Sequence, residues 1–213
     1  MISIEGQQKL LLAVSMKLNQ QITAYAIGGT AMMFLGLKDA TKDIDLVFVS
    51  DKDREKFKKA LKELGYKEMD SIKIYGVKRN APEMLTLGDE RFDLFVSEVI
   101  DFIFSKKMQE RAQMTNRFKD NLILKAADYH DLILMKCATD RFKDKDDVKS
   151  ILENRKVDWK ILVEEAKNQV ELGQELAVLE LGCFLEDLGD VPKEILDELF
   201  GYLKQQAEKK LKR

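Results

Sequence analysis

Asp43 and Asp45 stand one residue apart in the run Asp43-Ile44-Asp45-Leu46-Val47-Phe48-Val49. In an extended chain they point to one side while Ile44 and Leu46 point to the other. Two carboxylates held side by side repel one another unless they are protonated, solvated or bridged by a cation, and hard oxygen donors favour Mg²⁺ or Mn²⁺. Upstream, Gly28-Gly29-Thr30 ends a short apolar run. Glycines there let backbone N–H groups approach a phosphate, aided by the positive end of a helix beginning near Thr30. A third acid, Asp93, lies among large apolar neighbours in Arg91-Phe92-Asp93-Leu94-Phe95-Val96. A lone charge there is costly unless a partner or a metal compensates it. For Asp43 and Asp45 the alternative is a pair of solvated acids on an edge strand. For Asp93 it is an ion pair with Arg91 or Lys78 at a sheet edge.

These residues need a strand, a glycine turn, a helix and a second strand to hold them. The pattern predicts a strand over Ile22 to Ile27, a helix over Thr30 to Leu37 with Met32 as core filler, and a buried strand ending at Val49. Before them, Leu11, Val14 and Leu18 mark one face of a first helix over Ile4 to Asn19. After them, Ser50 with Asp53 three residues on is an N-terminal capping signature, and Phe57, Ala60, Leu61 and Leu64 form a helical stripe ending at Gly65. The basic face of that helix, Lys52, Arg54, Lys58, Lys59 and Lys62, is expected to be solvated; a nucleic-acid role ranks second. Ile72, Ile74 and Tyr75 suggest a short strand, Met84 to Leu87 another, and Arg91 to Val96 a third. A short helix over Lys106 to Arg111 and a hairpin of Thr115 to Phe118 with Leu122 to Lys125 complete the mixed part. Beyond Ala127 only helical patterns follow, so the expected division is 1–126 and 127–213.

The 213 residues suffice for one large domain or two small ones with a real core. Lys plus Arg number 36 against 38 Asp plus Glu, which excludes a global field drawing the chain to nucleic acid or membrane and leaves only local patches. Charged residues make up 35%, a mild thermophile-like signal. Cys137 and Cys183 lack metal-ligand spacing and read as buried small hydrophobes in a reducing compartment. His130, the single histidine, lies near a helix start and reads as packing or capping. Trp159 reads as core, and the basic tail as a frayed helix end. The run around Leu10 to Val14 has no signal-peptide pattern, and no stretch is apolar enough to span a bilayer, so a cytoplasmic protein is expected.

Taken together, Gly28-Gly29-Thr30, a helical spacer and Asp43-Ile44-Asp45 on the next strand resemble the nucleotidyltransferase superfamily, the polymerase-beta-like fold. Its members place a third carboxylate on a later strand, for which Asp93 is the best match. Asp89 lies in a turn and matches less well. The resemblance implies an α+β fold: a mixed sheet with flanking helices, followed by an all-α helical C-terminal domain. A second likeness lies further on. Leu-x-x-Lys ending at Lys136, with Arg-x-Lys-Asp-x-x-Asp beginning at Arg141, is similar to motifs of the AbiEii-type nucleotidyltransferases, the abortive-infection and type IV toxin–antitoxin relatives. It implies that Lys136 binds nucleotide and that Asp144 accepts a proton. From the residues alone, Lys136 is either a snorkelling surface lysine or a cation aimed at a triphosphate, and the charges from Arg141 to Asp147 suit a solvated turn and an acidic first helical turn.

The resemblance thus implies transfer of a nucleoside monophosphate from an NTP to a hydroxyl, with Mg²⁺ or Mn²⁺ held by Asp43, Asp45 and Asp93 and the triphosphate cradled by Gly28, Gly29 and Thr30. A tRNA end, a protein hydroxyl or a small molecule such as an aminoglycoside are the acceptors it permits, and an antitoxin is the partner it suggests. The alternative is a non-catalytic nucleotide-binding protein or a toxin–antitoxin interaction module.

Overall fold

The computed structural model describes residues 1–76, 79–137 and 142–212. In chain order the elements are β1 (Ile2–Ser3), α1 (Ile4–Ser15), β2 (Ile22–Ala26), α2 (Gly28–Phe34), β3 (Ala40–Thr41), β4 (Ile44–Phe48), α3 (Asp51–Glu63), β5 (Lys67–Met69), α4 (Ile72–Tyr75), β6 (Glu83–Leu87), β7 (Glu90–Val96) and β8 (Glu98–Val99). They continue with β9 (Phe102–Ile103), α5 (Lys106–Arg111), β10 (Thr115–Phe118), β11 (Leu122–Ala126), α6 (Tyr129–Lys136), α7 (Phe142–Asn154), α8 (Trp159–Glu171), α9 (Glu175–Leu188) and α10 (Lys193–Leu211). The result is a mixed α+β fold whose C-terminal region is helical. It divides into two compact units. The first comprises residues 1–100 and 104–128; the second comprises 101–103 and the helical remainder from Tyr129.

In the first unit the strands run in the order β10-β11-β2-β4-β7-β6-β5. β11 with β2 and β4 with β7 are parallel, and the remaining neighbours on this path are antiparallel. Serine caps set the helix starts: Ser50 Oγ accepts from Asp53 N at 3.2 Å to open α3, and Ser105 Oγ accepts from Met108 N at 3.1 Å to open α5. One sheet face carries Leu46, Phe48, Phe92 and Leu94, and α3 lays Phe57 on it, 5.4 Å from the Phe48 ring and 5.9 Å from that of Phe92. Removing each such ring from water contributes about 2–3 kcal/mol before chain entropy is counted. Tyr66 meets Phe92 edge-on at 5.4 Å and closes the cluster.

Strand alternation and register place a different set on the other face. Asp45 pairs with Asp93, Val47 with both Tyr25 and Phe95, and Tyr25 with Lys125. Apart from the acids and the lysine this face is also dry, with Tyr25, Val47 and Phe95 buried and the Tyr25 ring 5.0 Å from Phe104.

Three local expectations are corrected. Ile72 to Tyr75 forms a helical turn rather than a strand, because Asp70 Oδ1 accepts from Ile72 N at 2.9 Å and Ser71 O takes the Tyr75 N–H at 2.8 Å. The basic face of α3 is partly ion-paired: Arg54 and Lys58 both reach Glu83 on β6, and Lys62 reaches Glu68 on β5, while Lys52 and Lys59 are exposed as expected. The third correction concerns side chains in the helical unit: Cys183 is exposed and Trp159 only half-buried, whereas Cys137 is buried.

The second unit packs α6 on α7 and α8, and α10 on α8 and α9. Gly182 lets α9 approach α10 closely, since a Cβ there would lie 2.7 Å from Phe200 Cε1. Gln169, fully buried on α8, brackets Ile103: its Nε2 donates to the Ile103 carbonyl at 2.8 Å and its Oε1 accepts the Ile103 N–H at 3.0 Å. The amide thereby completes hydrogen bonds that burial would otherwise leave costly. His130 is buried and accepts from Asp158 N at 3.0 Å, a packing and capping role.

Candidate active site

β2 ends at Ala26 and the chain enters α2 through Gly28, whose φ is +53°. Only glycine takes that conformation without strain, and space demands it too: a Cβ at Gly28 would lie 2.7 Å from Asp45 Oδ2. A Cβ at Gly29 would lie 2.6 Å from Thr41 Oγ1. Thr30, fully buried, ties the turn to the acidic strand by accepting from Asp45 N at 2.9 Å and donating to the Asp43 carbonyl at 3.4 Å. The short ladder of β1 with β3 pins Thr41 opposite Ile2, and from there Thr41 donates to Asp43 Oδ1 at 3.4 Å.

Asp43 stands just before β4, Asp45 lies within it, and Asp93 occupies the registered position of β7. Carboxylate oxygens of the three lie within 4.8 Å of one another. Asp93 is fully buried and Asp43 nearly so. Arg91, two residues before Asp93 on the same strand face, places its guanidinium against Asp43 and its Nε 2.9 Å from Asp93 Oδ1. Tyr75 from α4 donates its hydroxyl to Asp93 Oδ2 at 2.7 Å. The donor set is all carboxylate oxygen, and oxygens around one octahedral Mg²⁺ are separated by about 3–4 Å, so the cluster fits a small hard divalent cation.

The six sequence-derived residues of the first unit, Gly28, Gly29, Thr30, Asp43, Asp45 and Asp93, therefore converge. The alternative pairing of Asp93 with Arg91 occurs as well, within the same cluster. Lys136 and Asp144 belong to the helical unit, where they meet each other: Lys136 Nζ lies 2.9 Å from Asp144 Oδ1 and also pairs with Asp147, all three buried. Thr139, Asp140 and Arg141 of the second motif lie outside the described residues, as does Lys78. Three contributors were missed as parts of the cluster: Arg91, weighed only as an alternative partner, Thr41 and Tyr75. The alternation of Arg91 with Asp93 on one strand was a usable signal for the first; nothing local marked the other two.

A glycine turn leading into a helix, with two strand-borne carboxylates and a third at the strand's entry beside it, is the arrangement of a nucleotidyltransferase. The family model described as "nucleotidyltransferase of unknown function (DUF6036)" matches residues 8–180, and the chain belongs to that family. No curated protein sequence matches it. Among solved structures it is similar to ANT(2″)-Ia in complex with adenylyl-2″-tobramycin, at 15% identity over 85% of this chain and 98% of that one, with a TM-score of 0.48. It is also similar to the solution structure of the antibiotic-resistance factor ANT(2″)-Ia, at 16% identity over 70% and 82% of the two chains, with a TM-score of 0.43.

Proposed function

We propose that the chain transfers a nucleoside monophosphate from an NTP to a hydroxyl in a reaction dependent on Mg²⁺ or Mn²⁺. The observation that supports this most is the convergence of Asp43, Asp45 and Asp93 within 4.8 Å of one another beside Gly28. The bond formed joins the acceptor oxygen to the α-phosphorus, the bond broken releases pyrophosphate, and the acceptor proton passes to a carboxylate base. When bound, a divalent ion at these acids would stabilise negative charge on the reacting phosphate and lower the pKa of the acceptor hydroxyl.

The chain's own groups set the stage for this. Thr30 fixes the main chain of both Asp43 and Asp45, Tyr75 orients Asp93, and Arg91 supplies positive charge between Asp43 and Asp93. Gly28 and Gly29 leave the turn bare of side chains, so its N–H groups are reachable by phosphate oxygens. By the AbiEii-type likeness, Lys136 would serve as a nucleotide-binding cation and Asp144 as proton acceptor. Their mutual ion pair means that either role requires the pair to open or to be shared.

Calorimetry with Mg²⁺ and each NTP, on wild type and Asp45→Asn, tests binding. Label placed on the α-phosphate tests chemistry, because it should pass to an acceptor while label on the γ-phosphate leaves with pyrophosphate. Nucleotide binding without transfer from the α-position to RNA, protein or small-molecule acceptors would leave a nucleotide-binding protein in place of an enzyme.

A further inference from the structure

On the carboxylate-bearing face of the sheet lies a concavity of about 350 Å³, lined by Tyr25, Lys106, Gln109, Glu110, Gln113 and Lys125. Lys125 is registered with Tyr25, and Tyr25 with Val47, which stands two residues from Asp45 on β4. Two strand spacings and two residues separate the main chain at Lys125 from that at Asp45, about 12 Å. That distance is covered by a short length of nucleotide chain.

Gln109 and Gln113 are tied to main-chain carbonyls of Phe104 and Glu110, whereas the two lysines are not engaged by acids among the described residues. Lys125 Nζ sits 6.0 Å from the Tyr25 ring centroid. Tyr25 is 8% exposed, yet its hydroxyl makes no hydrogen bond to a described residue. The ring is buried while the hydroxyl tip remains open to the concavity, where it is available to a ligand. An ordinary tyrosine is already protonated at neutral pH, so this hydroxyl presents a donor to the concavity, and burial raises its pKa further. Glu110 and Lys106 are exposed, and the lining carries one acid against two lysines. Two cationic donors with one neutral hydroxyl donor suit a phosphate and repel a polycation.

We propose that Tyr25, Lys106 and Lys125 bind a backbone phosphate of the acceptor, so that the acceptor is a nucleic-acid strand rather than an aminoglycoside-like polycation. This rests on the nucleotidyl-transfer reading for the word acceptor, while the binding itself does not need the reaction. Another basic concavity, lined by Lys17 in the turn after α1 and by Lys56, Lys59 and Glu63 of α3, serves as an internal control.

The experiment is fluorescence anisotropy of a labelled single-stranded oligoribonucleotide with a free 3′ hydroxyl, without NTP or metal. Wild type should bind with an affinity that falls as salt rises, and Lys106→Gln with Lys125→Gln should lose at least about tenfold in affinity and about two units of salt slope. Tyr25→Phe, which keeps the ring against Phe104, should lose about fivefold. Lys59→Gln should change nothing. Calorimetric NTP affinity should be unaltered in the double lysine variant; a parallel fall there would assign the site to the triphosphate and overturn the proposal. So would an oligonucleotide affinity untouched by the lysine changes, equal losses from Lys59→Gln, or no oligonucleotide binding with label passing to protein instead. Asp45→Asn should still bind the oligonucleotide. Strand binding that depends on these lysines, without any label transfer in wild type, would sink the reaction while leaving the subsite standing.

Discussion

Arg91 is the residue on which the carboxylate cluster's stability turns. Its guanidinium contacts Asp43 and Asp93, both buried, from a side chain only 18% exposed. Removing one member of such a group leaves buried like charges facing each other, at a cost of about 3–5 kcal/mol. Arg91→Met should therefore lower the free energy of unfolding by that order in urea titrations. Added Mg²⁺ should recover more stability in the variant than it adds to wild type, because the cation takes over the same neutralisation. A variant that Mg²⁺ stabilises no more than wild type would argue against metal binding at these acids. At this scale the sequence was most legible where chemistry and pattern conflict. An acid between Phe92 and Leu94 demands an explanation, and Asp43-x-Asp45 demands a shared face. Tyr75 and Thr41 carry no such conflict. An ordinary tyrosine and an ordinary threonine become parts of the cluster only when α4 and the β1–β3 ladder bring them to it: Tyr75 comes from 18 residues before Asp93, and Thr41, though only two residues from Asp43, is turned onto it by its pairing with Ile2.

Elements join through a few polar bridges, and one of them titrates. Tyr66, just after α3, donates its hydroxyl to Glu90 at the start of β7. Burial, then the hydrogen bond and charge of Glu90, raise the Tyr66 pKa above its ordinary value near 10. The neutral phenol is thus favoured by folding. Its contribution to stability is complete below about pH 10, where the unfolded tyrosine is also protonated, and is lost as pH rises further and only the unfolded form ionises. Wild-type stability should accordingly fall more steeply above about pH 10 than that of Tyr66→Phe, measured by denaturant midpoints across the alkaline range. Parallel curves would show that the bridge contributes nothing. The strands β2, β4, β6, β7, β10 and β11 were legible from apolar runs and turn residues, but their order was not. Which strand lies beside which is decided by long-range pairing, and so the registration of Asp45 with Asp93 emerged only from the folded sheet. α4 was misread because Ile72, Ile74 and Tyr75 look like a strand until the Asp70 and Ser71 helix-start signals are given their due.

Over the whole chain, each unit has its own buried charges and so its own vulnerability. In the helical unit Lys136 neutralises Asp144 and Asp147 at positions where water cannot. Lys136→Met should cost about 3–5 kcal/mol there, and hydrogen exchange should locate the lost protection in α6 and α7. Undiminished protection in those helices would mean that the ion pair is dispensable, and would free Lys136 for a purely nucleotide-directed role. No helix among the described residues is long and apolar enough to cross a membrane.

The placement of residues 101–103 with the helices, fastened through Gln169, means that the chain visits the helical unit briefly before it settles there. The two units are consequently not interchangeable cassettes. A chimera spliced at Asp128 would inherit α8 with a buried amide stripped of both its bonds to Ile103, keeping only that to Glu165, so any recombination that preserves folding must carry the Phe102–Ile103 segment along with the helices it serves.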